Sequence, residues 1–141
     1  MKNLFIFASI MATMSTHAQE AESWKIKWNG EKILVSDTED KKANVRKVSM
    51  VSSSSDSLLE IKYNDNSKEG IKRSFLIFGA SDNELLRLDS TWSAKVSRET
   101  LEKVMGTAKK IEIYTIALPT DPELAARVRV RRVHLCTLLF Q

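Results

Sequence analysis

Residues 23–35 read Ser23-Trp24-Lys25-Ile26-Lys27-Trp28-Asn29-Gly30-Glu31-Lys32-Ile33-Leu34-Val35, and this stretch decides the fold class. Trp24, Ile26 and Trp28 alternate with lysines, the period-2 signature of a half-buried strand. Asn29-Gly30 is the strongest short hairpin signal, since both residues tolerate positive φ. A two-residue loop then predicts Trp28 opposite Glu31, Ile26 opposite Ile33 and Trp24 opposite Val35. The apolar side chains fall on one face, so Trp24 and Trp28 are expected in a core rather than on a sugar-stacking platform.

Outward from this hairpin the same grammar repeats. Val45–Val51 is rich in β formers, Leu59, Ile61 and Tyr63 alternate with Glu60 and Lys62, and Ile71–Phe78 is apolar on both faces from Phe75 onward. Glu84–Leu88 returns after a Gly79–Asn83 turn. Ala108–Leu118 and Val128–Phe140 complete the strand regions. Two segments break the pattern. Ser97 can cap a helix near 98–105, with Glu99 in its first turn, Leu101, Val104 and Met105 on one face and Gly106 as a stop. Asp121-Pro122 starts a helical turn near 121–126. The expected fold is therefore mainly β: an antiparallel β-sandwich, or a flattened barrel, of about seven to nine strands with one short α-helix.

The N-terminus has a different character. Lys2 precedes an apolar run from Leu4 to Met14, and Thr16 and Ala18 stand at −3 and −1 before Gln19. That order reads as a cleavable signal peptide over residues 1–18, leaving 19–141 as a single β-sandwich domain. The run is too short to span a bilayer, so no membrane span is expected after cleavage, and no cysteine is placed for a lipid anchor. The expected location is the periplasm or the cell exterior. The full chain has 141 residues and a formal charge of +4, one charge of which leaves with Lys2. A mild excess of this kind suits an anionic partner without requiring nucleic acid, and no nucleic-acid partner is expected.

Cys136 is the one cysteine, which excludes an internal disulfide, and His134 is the one histidine outside the leader. Two residues apart on a strand they share a face, but too far apart for a direct bond, so Cys136 reads as core and His134 as a satisfied strand residue. Nucleophile-elbow, zincin and phosphate-loop motifs are absent, and no catalytic residue, cofactor or metal is expected. Asp65, Asp82 and Glu84 lack the spacing of a calcium loop and read as solvated turn residues.

The most unusual run is Arg127-Val128-Arg129-Val130-Arg131-Arg132-Val133-His134. In a strand Arg127, Arg129 and Arg131 share one face, and the slip at Arg131-Arg132 calls for a bulge or bend. Arg127, Arg129, Arg131 and Arg132 form the candidate surface for an acidic protein or an anionic envelope polymer. The competing reading is a charged edge strand or arginines paired with neighbouring carboxylates. Trp92, in the polar run Asp89–Ser93, is the candidate exposed aromatic. The function expected from all this is a non-enzymatic binding or structural module. The second reading is a small inhibitor or immunity-type protein that occludes an enzyme cleft, and the third is a carboxylate-dependent hydrolase.

Overall fold

The computed structural model describes residues 22–50, 57–65, 69–89 and 92–141. The predicted signal peptide and the Ser52–Asp56 loop lie outside these residues. The strands are β1 (Ser23–Trp28), β2 (Glu31–Ser36), β3 (Val45–Val48), β4 (Leu59–Asn64), β5 (Ile71–Gly79), β6 (Glu84–Leu88) and β7 (Ser93–Val96). Helix α1 (Arg98–Met105), β8 (Lys110–Pro119), helix α2 (Pro122–Arg127) and β9 (Val133–Phe140) follow. They form two sheets, ordered β2-β1-β4-β7 and β3-β9-β8-β5-β6, with no closed barrel. All pairings are antiparallel except β3 with β9, which is parallel.

One apolar core joins the sheets. Trp24, Ile26, Trp28, Leu59, Ile61, Tyr63, Ala94 and Val96 face it from the four-stranded sheet, and Phe75, Ile77, Ile111, Ile113, Cys136 and Leu138 from the other. Helix α1 closes one side with Leu101 and Met105. Ser97 caps it by accepting from the Thr100 amide at 3.1 Å, and Gly106 ends it at φ 58°.

The β1–β2 hairpin turns as expected, with Asn29 at φ 51° and Gly30 at φ 80°. Its register departs from the expected one. Trp28 faces Glu31, but Ile26 faces Leu34 and Trp24 faces Ser36, with a slip between Ile26 and Lys27. Ile33 is the extra residue of a bulge, and Leu34 rather than Ile33 is buried, at 4% exposure. The bulged Ile33 carbonyl accepts from Arg46 Nε at 2.8 Å, a bond from β3 of the opposite sheet. A side chain distant in sequence thus stabilises the slip, which is why local turn chemistry did not reveal it.

A second bulge lies in β9. Ile113 pairs with Cys136 and Tyr114 with His134, so Leu135 is the extra residue, and its carbonyl accepts from Trp24 Nε1 at 3.0 Å. The final strand begins at Val133, not Val128, and no bulge occurs at Arg131-Arg132 because those residues are not in a strand. Strand β7, which the polar run around Trp92 did not suggest, pairs with β4 from Leu59↔Val96 to Lys62↔Ser93.

Candidate basic binding face

The outward face of the four-stranded sheet follows from the inward placement of Trp24, Ile26 and Trp28. Their neighbours Lys25 and Lys27 point the other way. Pairing with β4 sets Lys62 opposite Lys25 and Glu60 opposite Lys27. Pairing with β2 sets Lys32 opposite Lys27, and pairing with β7 sets Lys95 opposite Glu60. Lys25, Lys27, Lys32, Lys62 and Lys95 thus line one concave surface of about 520 Å³ with Gly30, Glu60 and the β7 backbone. Among the described residues Glu60 is the single carboxylate there, and it accepts from Ser57 Oγ at 2.9 Å. Among the described residues, no ion pair engages any of the five lysines.

Lys25 with Lys62, and Lys27 with Lys32, are like charges directly across strands, an arrangement that destabilises a sheet. The ammonium groups are compact, strongly hydrated and carried on flexible stems, so they suit an anion with several charged centres. Cross-strand neighbours lie ~5 Å apart and same-strand neighbours ~7 Å apart, a lattice that presents several cations to one extended polyanion.

The arginine run is placed differently from the expected strand face. Arg127 ends α2, and residues 128–132 join neither a helix nor a sheet. Arg131 reaches Glu39 with Nη1 at 2.8 Å and Nη2 at 2.9 Å. Arg132 bonds Asp82 at 2.8 and 3.1 Å, and its guanidinium lies 4.5 Å from the ring centroids of both Phe78 and Tyr114. These two arginines fasten the segment over the outer face of the five-stranded sheet, where Leu76, Tyr114 and Ile116 form a second apolar cluster. Arg127 and Arg129 are exposed and have no ion pair among the described residues.

His134 and Cys136 do not share a face. The bulge at Leu135 turns His134 outward against Tyr114 and Thr137, while Cys136 joins the inter-sheet core. The His134 Nε2–Thr137 Oγ1 distance is 2.7 Å, and Nδ1 has no partner among the described residues. Burial holds the imidazole below its ordinary range, with Glu112 opposing and Lys41 adding to the effect. Burial pushes the Cys136 thiol up to about 12, which keeps it protonated and a poor nucleophile at neutral pH.

Asp65 is not a solvated turn residue. Its carboxylate meets Arg73 Nη2 at 3.0 Å, with side-chain exposures of 4% and 5%. Arg73 Nη1 donates to Thr115 Oγ1 at 3.1 Å, and the guanidinium stacks 3.7 Å from the Tyr63 centroid. Trp92, expected as an exposed aromatic, is half-buried, packs against the core and lies 5.2 Å from the same guanidinium. Asp82 and Glu84 are surface residues that pair with Arg132 and Arg87. Among the described residues, no three His, Cys, Asp or Glu side chains cluster as metal ligands.

Compared with known proteins, the chain matches no family model, no curated protein and no solved structure. The lysine face was not read from the sequence as a site. Its signal was present in the alternating lysines of residues 25–32 and in Lys62, but only strand order brings them together with Lys95.

Proposed function

We infer that the chain is a non-enzymatic binding module, exported by its leader, that holds an anionic polymer on the outer face of its four-stranded sheet. The observation that carries this reading is the convergence of Lys25, Lys27, Lys32, Lys62 and Lys95 on one concavity with a single carboxylate. Two like-charged cross-strand pairs weaken the fold slightly, and an anion laid across them converts that repulsion into attraction. The anion face therefore moves from the arginine run, half of which is tied to Glu39 and Asp82, to the lysines.

Binding of labelled polyphosphate and heparin across a salt series tests the reading. A dense polyanion releases condensed counterions on binding, so the logarithm of affinity should fall linearly with the logarithm of salt concentration. Changing Lys25, Lys27 and Lys62 together to Gln should lower that slope by roughly 0.7–0.9 per lysine in contact, without lowering the melting temperature. An unchanged affinity and slope would remove the face as a site.

A further inference from the structure

Three of the four large apolar side chains that are most exposed among the described residues fall within seven residues: Leu124 at 52%, Val128 at 45% and Val130 at 46%. Helix α2 buries none of its residues. Val128, which follows it, is extended at φ −90° and ψ 143°. Residues 129–132 make no backbone–backbone hydrogen bond with described residues. The segment is nevertheless anchored, because Arg131 and Arg132 fasten its end to Glu39 and Asp82. It is a strap outside both sheets with alternating valine and arginine side chains; the Arg132 carbonyl accepts from Arg131 Nη1 at 3.3 Å, and the backbone of 129–131 has no backbone partner among the described residues.

We propose that this strap, which belongs to neither sheet, pairs with an extended acidic segment of a partner protein, at a surface separate from the lysine face. A paired strand would satisfy the free backbone groups of 129–131, place apolar side chains beside Val128 and Val130, and set carboxylates beside Arg129 and within reach of Arg127 at the end of α2. The open backbone argues against insertion into lipid, where each unpaired amide or carbonyl is costly. Charge argues against a second copy of this chain, since antiparallel self-pairing would set arginine against arginine.

The test uses the full mature chain and a fluorescein-labelled peptide of four Glu-Val repeats, read by anisotropy. A Lys-Val peptide of the same length and vesicles rich in phosphatidylglycerol are run beside it. The expected result is binding of the Glu-Val peptide and not the Lys-Val peptide, with slowed amide exchange at alternate residues of 128–131, and vesicle capture only through the lysine face, lost when Lys25, Lys27 and Lys62 are changed to Gln. The variant R127E/R129E should lose about tenfold or more in affinity for that peptide and gain the Lys-Val peptide, with R129E alone as an intermediate. Its melting temperature reports that the fold is intact. Several results would overturn the proposal. They are unchanged preference in the reversed variant, vesicle capture through the strap that survives the lysine changes, self-association through the strap, or loss of peptide binding only when Lys25, Lys27 and Lys62 are changed.

Discussion

Asp65→Asn isolates the energetic role of the one ion pair among the described residues that is buried between the sheets. The change removes the charge facing Arg73 at 3.0 Å but keeps the shape of the side chain. Arg73 is 5% exposed at its side chain, is bonded to Thr115 and is pressed on Tyr63, so the guanidinium cannot swing out to water without opening that end of the sandwich. Its Nε already has no partner among the described residues. Breaking a buried pair from one side leaves an uncompensated charge and costs about 3–5 kcal/mol. With total stability of about 5–15 kcal/mol, that is a large fraction. Urea unfolding should show the loss as a lower midpoint at unchanged slope. Arg73→Lys should cost nearly as much, because an ammonium can neither fork to Asp65 and Thr115 nor stack on Tyr63. Arg73→Met with Asp65→Leu should cost far less than the sum of the single changes, since apolar replacement of a buried pair is often neutral. A loss below about 1 kcal/mol for Asp65→Asn would mean that water reaches the pair, and the reasoning would fail.

Other outcomes follow from the same geometry. His134 is held below its ordinary value, so the unfolded chain takes up a proton first; its contribution is fully present above about pH 6.5 and is lost as pH falls below that. Thermal melts between pH 7.5 and 5 should therefore fall more steeply for the natural chain than for His134→Gln, and parallel curves would contradict this. Trp24→Ala should cost about 3–5 kcal/mol, as a 2% exposed indole is lost and the bulged Leu135 carbonyl loses its donor. A loss under about 1 kcal/mol in denaturant melts would place Trp24 outside the core. Expressed with its own N-terminus, the protein is expected outside the cytoplasm beginning near Gln19. Intact Met1 on cytoplasmic protein, found by mass spectrometry, would contradict that.

The sandwich was legible where a local rule and the hydrophobic period agreed, as in the Trp24–Val35 hairpin, the Ser97-capped helix and the alternating β4. It was not legible where a distant side chain decides. The bulge at Ile33 depends on Arg46, and the bulge at Leu135 depends on Trp24, thirteen and 111 residues away. The second bulge is what separates His134 from Cys136, which plain alternation had put on one face. The valine–arginine alternation of 127–131 has the period of a strand, yet no partner strand lies beside it, so period alone misplaced the start of β9. Asp65 looked like a turn residue because nothing local shows that Arg73 enters from the facing sheet. The lysine face needed the order β2-β1-β4-β7, which no pairwise signal in the chain contains.

The most direct measurement is nuclear magnetic resonance mapping of polyphosphate on the isotopically labelled chain of residues 19–141. Backbone amide and lysine side-chain shifts should move at Lys25, Lys27, Lys32, Lys62 and Lys95, saturate together and revert on adding salt. Residues 127–132 should move less and saturate at higher polyphosphate, since among the described residues only Arg127 and Arg129 are without an ion pair there. Shifts confined to Arg127–Arg132, or no shifts at all up to millimolar polyphosphate, would contradict a polyanion site on the four-stranded sheet.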